Sequence, residues 1–195
     1  HLNKLDPGLA HRTKIDIKFT TKAAPTSKKH LQKVMAKEYA LPILDENGEV
    51  KKIVYGGRII NRDYELVDRI RKLAFGRDFY DGKPVGTVTI FQGDTRIATN
   101  VLNEDGSRAV GTRVSQEVYE KVIEQGKTWH DRAFVVNDWF KTGYEPIRNI
   151  EGQVIGILYV GMLEKPFDDM SRNITLWFLT IIIGATVLAA IIAVF

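Results

Sequence analysis

Apolar and polar residues change their spacing several times along the chain, and each change marks an element. In 62–75 (RDYELVDRIRKLAF), Leu66, Val67, Ile70 and Leu73/Ala74 recur at helical spacing and form one stripe. Gly82-Lys83-Pro84 ends that pattern. Residues 85–92 (VGTVTIFQ) and 95–101 (TRIATNV) read as strands around a Gly93-Asp94 turn, and 103–106 (NEDG) makes another turn. Residues 114–125 (VSQEVYEKVIEQ) predict an amphipathic helix with Ser115 as its cap and Gly126 as its stop. Three more strands follow at 132–137, 140–147 and 153–163. Upstream only strands are expected, at 14–19, 34–44 and 50–55. The last 22 residues, 174–195 (ITLWFLTIIIGATVLAAIIAVF), carry no charge. As a helix they span about 33 Å, the thickness of a bilayer core. A soluble helix needs a polar face and this one has none, so a transmembrane helix set in lipid is predicted.

The order helix, two strands, helix, three strands is that of a PAS-like α+β domain with a central antiparallel sheet. A repeat reinforces it. Residues 42–57 and 146–161 align without a gap at an offset of 104 residues, with seven of 16 positions identical, from Pro42/Pro146 to Gly57/Gly161. Each copy reads as strand, Gly-bearing turn (Gly48, Gly152), strand, the glycine supplying the positive φ of a tight hairpin. A period of this size means duplicated modules and not a solenoid.

Charge and composition narrow the function. Net charge is +4, but residues 1–37 hold nine Lys/Arg against Asp6 and Asp16, which is +7 and leaves −3 for the rest. That basic stretch reads as a solvated face, with anionic lipid or a partner as the alternative. No aromatic-interleaved basic strand or recognition-helix pattern points to nucleic acid. There is no cysteine, hence no disulfide framework and no thiol or thiolate-metal site. The four histidines are scattered without metal-ligand spacing, and no GxSxG, P-loop or GxGxxG occurs. No enzymatic activity and no cofactor are therefore expected. The first residue is His1 and the last ones lie inside the apolar segment, so an incomplete polypeptide is expected.

The blocks Gly86-Thr87-Val88-Thr89-Ile90-Phe91-Gln92, Arg96 to Val101, Arg108 to Ser115, Arg132 to Trp139 and Tyr144-Glu145-Pro146-Ile147 closely resemble the Cache domains of bacterial chemoreceptors and sensor histidine kinases. The likeness runs over about residues 30–168 and is strongest to the membrane-proximal half of the double-Cache (Cache_3–Cache_2 fusion) type. It implies three parts: a partial membrane-distal module at 1–60, a membrane-proximal Cache domain at 61–168, and a juxtamembrane segment with its transmembrane helix at 169–195. It further implies a single pass through the inner membrane, a soluble domain in the periplasm or extracellular space, and a role in signal transduction such as chemotaxis. Homodimers are usual for such receptors. A single-span accessory subunit of a larger membrane complex, respiratory or photosynthetic, is the alternative function.

In such domains the ligand lies in a concavity between the sheet and the loops and helix that cross it. The candidates here are Arg96, Thr99, Asn100, Arg132, Asn137, Trp139 and Tyr144. Arg96 and Arg132 sit in apolar strands, where a guanidinium needs an anionic partner. Trp139 and Tyr144 offer flat walls with one polar handle each, and Asn100 and Asn137 offer orienting amides. The expected ligand is a small anionic metabolite, an organic acid or amino acid. Internal salt bridges to Asp94, Asp138 or Glu145 are the competing fate of each arginine, and Arg113 is expected to brace its loop.

Overall fold

The computed structural model describes residues 13–135 and 138–194, apart from the side chains of Phe134 and Val194. A hairpin comes first, β1 (Ala36–Leu44) and β2 (Val50–Ile59), then helix α1 (Tyr64–Phe75). The short strands β3 (Phe79–Tyr80) and β4 (Lys83–Pro84) lead into β5 (Gly86–Gln92) and β6 (Thr95–Thr99). A turn of α-helix, α2 (Gln116–Val118), widens into a π-helix, Tyr119–Glu124. Strands β7 (Trp129–Val135), β8 (Asp138–Arg148) and β9 (Val154–Leu163) then feed helix α3 (Lys165–Val194).

β5 to β9 form one antiparallel sheet in the order β6-β5-β9-β8-β7. The expected α+β, PAS-like architecture with a C-terminal apolar helix is what the chain adopts. Along β6, β5 and β9 both sheet faces are covered, each by a different part of the chain, whereas β7 and β8 are covered on one face only. On one face Val67 of α1 packs with Val88, Ile90, Ile97 and Val110, and with Ile15 and Met35 from upstream. On the other, Val114, Val118 and Val122 cover Phe91, Phe140, Tyr144, Ile157, Tyr159 and Leu163. Alternation along β5 does the sorting: Val88 and Ile90 go to the α1 face, Phe91 to the other.

Local chemistry explains the boundaries. The Asp63 carboxylate caps α1 by accepting from Leu66 N–H and also holds Arg58 at 2.6 Å. Ser115 caps α2, as its position predicts. Gly156 lets β9 approach β5 closely: a Cβ there would stand 2.1 Å from the Phe91 carbonyl oxygen and 2.7 Å from Met35 Cε. Gly156→Ala is expected to cost about 2–3 kcal/mol, since the clash is with backbone that cannot yield without breaking the ladder. Chemical denaturation measures it; a change below about 0.5 kcal/mol would mean that the two strands are not so close.

The repeat is real at atomic detail. β1 ends at Leu44 and β8 at Arg148, while β2 begins at Val50 and β9 at Val154, each pair 104 residues apart. Both hairpins shift register at the same place, Ile43/Leu44 and Ile147/Arg148. In one, the Asp45 carboxylate accepts from Asn47 and Glu49 N–H; in the other, the Asn149 amide oxygen accepts from Glu151 and Gln153 N–H. Gly48 and Gly152 take φ of +83° and +80°.

Three expectations need correcting. Residues 14–19 form no strand: a single bridge, Asp16 to His30, stands there, because the segment lies against Gly111 and the 28–31 loop rather than against a full-length strand. The helix at the C-terminal end begins at Lys165 and not at 174, since the polar turn FDDMSRN is helix-compatible and Pro166 falls in the first turn, where no N–H partner is lost. Strand β2 continues to Ile59 through Gly56-Gly57. The stretch 13–60 also divides at Met35: Ile15 and Met35 join the main core, whereas β1 and β2 project from it.

Candidate functional site

Sheet register decides which side chains meet. On the face covered by α2 and the π-helix, Tyr144 of β8 stands opposite Tyr159 of β9, and Tyr159 opposite Thr89 of β5. Phe91 stands opposite Arg96 of β6. Residues directly opposite each other share a face, so Arg96, Phe91, Tyr159 and Tyr144 converge.

Arg96 is 7% exposed, and its guanidinium lies 5.3 Å from the centre of the Phe91 ring. Its Nε has no hydrogen-bond partner, and among the described residues no carboxylate pairs with it. Asp94, the acid nearest in sequence, is held by Arg113 through contacts of 2.8 and 2.5 Å. Burial lowers the Arg96 pKa, opposed by the nearby Tyr159 and Tyr144 hydroxyls. The aromatic rings form a wall: those of Tyr144 and Tyr159 are tilted by 54° with centres 4.9 Å apart, and Trp129 meets Tyr144 edge-on at 5.4 Å. The Tyr159 hydroxyl lies over Gly161, where a Cβ would sit 2.1 Å away, and it hydrogen-bonds the Thr87 hydroxyl at 3.1 Å. A buried guanidinium with hydroxyls around it and no counter-charge is suited to receive one anionic group.

Above this cluster lies the π-helix, with Val118 and Val122 pointing into the core. A π-turn is a poorer helix than an α-turn and is found often at functional sites. Two open surface clefts, of about 550 Å³ by Arg58 to Glu65 and about 420 Å³ along the β1–β2 tip, lie elsewhere. We favour the Arg96 cluster over both. The first cleft's Arg58 and Asp63 already satisfy each other, and the second is the solvent side of a turn.

The remaining candidates stand apart. The Thr99 hydroxyl bonds that of Thr89 at 2.6 Å and accepts from Val101 N–H, and the Asn100 amide brackets β5 through Val88 N–H and the Gly86 carbonyl. Both side chains are engaged within the sheet. Arg132 and Trp139 lie together on the opposite face from Tyr144, the guanidinium 4.3 Å from the indole centre. Arg132 also pairs with Glu164 at 2.5 Å. Asn137 lies outside the described residues. Arg113 braces its loop through Asp94 and the Ala24 carbonyl, as its sequence context suggests. Tyr159, Phe91 and Thr87 complete the cluster and were not among the sequence candidates.

Burial pushes the Tyr159 pKa to about 12 and raises that of Tyr144 as well, with Thr87 and Arg96 pulling Tyr159 part of the way back. The folded state therefore holds these protons more tightly than the unfolded chain does. Stability is expected to be constant below about pH 10 and to fall from there toward pH 12. Tyrosinate absorbance should show these two phenols ionising together with loss of the circular dichroism signal. Ionisation near pH 10 in a still-folded protein would mean the wall is wet.

At the Leu163 end of β9 the sheet is fastened to α3. The Tyr80 side chain packs against the aromatic core, and its hydroxyl donates to Asp169 at 2.6 Å. Lys165 pairs with Asp81 and lies over the Tyr80 ring. Helix α3 is apolar enough to cross a membrane over Lys165–Ala193, and none of its most apolar stretch is buried against the protein.

The family model described as single Cache domain 3 matches residues 58–174, more than half of the chain and all of the five-stranded sheet. None of the curated proteins compared with it matches the chain.

Proposed function

From the premise that the chain belongs to the single Cache domain 3 family, an extracellular small-molecule sensor domain joined here to one candidate membrane-spanning helix, we propose that it is the signal-input region of a single-pass receptor that binds a small organic acid or amino acid at Arg96. The observation that carries this reading is the buried, unpaired Arg96 guanidinium facing Tyr144 and Tyr159. A carboxylate there would gain charge-assisted hydrogen bonds in a site of low polarity. The aromatic wall would take the apolar part of the same molecule.

On this reading the receptor is a chemoreceptor or sensor kinase of the inner membrane, with the sheet in the periplasm. The repeat supports taking the β1–β2 hairpin as the tail of a second, membrane-distal Cache module. The test is a thermal-shift and calorimetric screen of the full chain in detergent against organic acids and amino acids. At least one carboxylate should raise the melting temperature, and its uncharged amide should not. If no anion of this class stabilises the fold, the reading fails.

A further inference from the structure

The C-terminal turn of α1 and the short strands after it carry a surface with its own chemistry. Phe75, the last residue of α1, packs over Gly86, where a Cβ would stand 2.1 Å from the phenyl ring. Gly86 pairs with Met162, the residue before Leu163 at the end of β9. So α1 ends at the edge of the sheet from which α3 departs. The β3–β4 ladder lies beside the first turn of α3, since Tyr80 bonds Asp169 and Asp81 pairs with Lys165. Asp169 stands five residues before Ile174, where the uncharged stretch begins, about 7.5 Å along a helix. The headgroup layer on each side of a bilayer is about 5–8 Å thick. With α3 in a bilayer, β3–β4 therefore stands level with the headgroups.

What the chain places there is basic and apolar together. Residues 69–83 (RIRKLAFGRDFYDGK) hold five Lys/Arg against Asp78 and Asp81. Arg69 is taken by Glu65, Lys83 by Asp138, and Asp81 by Lys165. Arg71, Lys72 and Arg77 pair with no carboxylate among the described residues. Arg71 lies over the Phe79 ring at 5.5 Å, and its Nη1 has no hydrogen-bond partner. The adjoining turn of α3 is neutral, Lys165 and Arg172 against Asp168 and Asp169, so it does not cancel this charge. Between the cations, Leu73 is 81% and Phe79 60% exposed. Cations interleaved with bare leucine and phenylalanine suit an anionic lipid surface, which takes the charges at its phosphates and the apolar groups at the acyl boundary.

We propose that Arg71, Lys72, Leu73, Arg77 and Phe79 rest on anionic headgroups of the bilayer that α3 crosses, holding the sensor domain down on the membrane. The inference rests on α3 spanning the bilayer and is independent of what Arg96 binds.

The absence of cysteine lets one label be placed at a time. The full chain is set in nanodiscs of phosphatidylcholine, with or without phosphatidylglycerol, and carries a bimane at Phe79→Cys or at Leu73→Cys. In the anionic discs the label should shift to the blue and lose most of its quenching by acrylamide. About 1 M salt, which cuts the Debye length to about 3 Å, should reverse most of this. Lys72→Glu combined with Arg77→Glu should abolish it. Shielding at either position that depends on anionic lipid supports the proposal. Labels that stay accessible at both positions overturn it, and so do labels shielded equally in neutral discs and in detergent, the mark of a protein contact. A label at Leu188→Cys should be shielded in both kinds of disc; its exposure would refute the span itself and the proposal with it. Ile150→Cys, in the exposed turn between β8 and β9, should stay accessible throughout, and shielding there would overturn the proposal as adsorption of the whole domain.

Discussion

Arg96→Met is expected to make the unliganded protein more stable while abolishing its response to ligand. Arg96 is 7% exposed, its Nε is unsatisfied, and no carboxylate among the described residues offsets its charge. Holding such a group in the core costs several kcal/mol that the fold does not recover, and replacing buried ionic groups by apolar ones of similar volume commonly stabilises by about 1–4 kcal/mol. Methionine keeps the length of the side chain and packs on Phe91 and the tyrosines without a charge. For a protein of this size each kcal/mol moves the melting temperature by about 2–4 °C. The stabilising effect of a carboxylate ligand should vanish in the same variant. A merely structural arginine behaves in the opposite way, its removal lowering stability and leaving ligand binding in place. Thermal melts of both forms, with and without the best acid from the screen, separate the two outcomes.

Much of this was legible in the sequence because it is written in local periodicity. The stripe of Leu66, Val67 and Ile70, the Ser115 cap and the paired glycine turns each need only a few neighbouring residues to be read, and each stands where expected. The stripe's extension to Leu73/Ala74 does not hold, since Phe75 is the residue that packs on the sheet at that end and Leu73 is 81% exposed. Arg96 was visible for a related reason, a charge in an otherwise apolar strand. Arg132 looked the same in sequence, but strand β7 begins at Trp129, three residues before the expected start. Its alternation then sends Trp129 and Ala133 toward the aromatic core and Arg132 to the other face. A phase of one residue decides which side a strand residue faces, and here the side away from the aromatic core is open, with Arg132 and Trp139 both exposed on it. Tyr159 was hidden by its membership of the repeat. The signal that singles it out is Gly161, whose missing side chain leaves room for the phenol, and that relation appears only once β9 is laid against β5. The engaged state of Thr99 and Asn100 was equally beyond reach, since their partners Thr89 and Val88 belong to a neighbouring strand whose register is set by the bulge at Ile90/Phe91.

A flexible Gly/Ser insert of about ten residues between Glu164 and Lys165 should leave ligand binding unchanged and abolish its effect on the membrane helix. β9 ends at Leu163 and α3 begins at Lys165, so a shift of the strand carrying Tyr159 reaches the helix with one residue between. Tyr80 provides a second link, packed on the aromatic core at one end and bonded to Asp169 at the other. Both links depend on the helix starting where it does: an insert of that length makes its ends free to move by about 15–20 Å. The measurement is the spectrum of a spin label at Ser171→Cys, an exposed position in a chain with no other thiol. Ligand should alter it in the native connection and leave it unaltered in the insert, with equal ligand-induced thermal shifts in the two proteins. Tyr80→Phe, which removes only the hydroxyl reaching Asp169, should retain binding and lose part of the spectral change. A full spectral response in the insert would show that ligand acts on the helix by some route other than the strand and Tyr80, and the mechanical account would have to be given up.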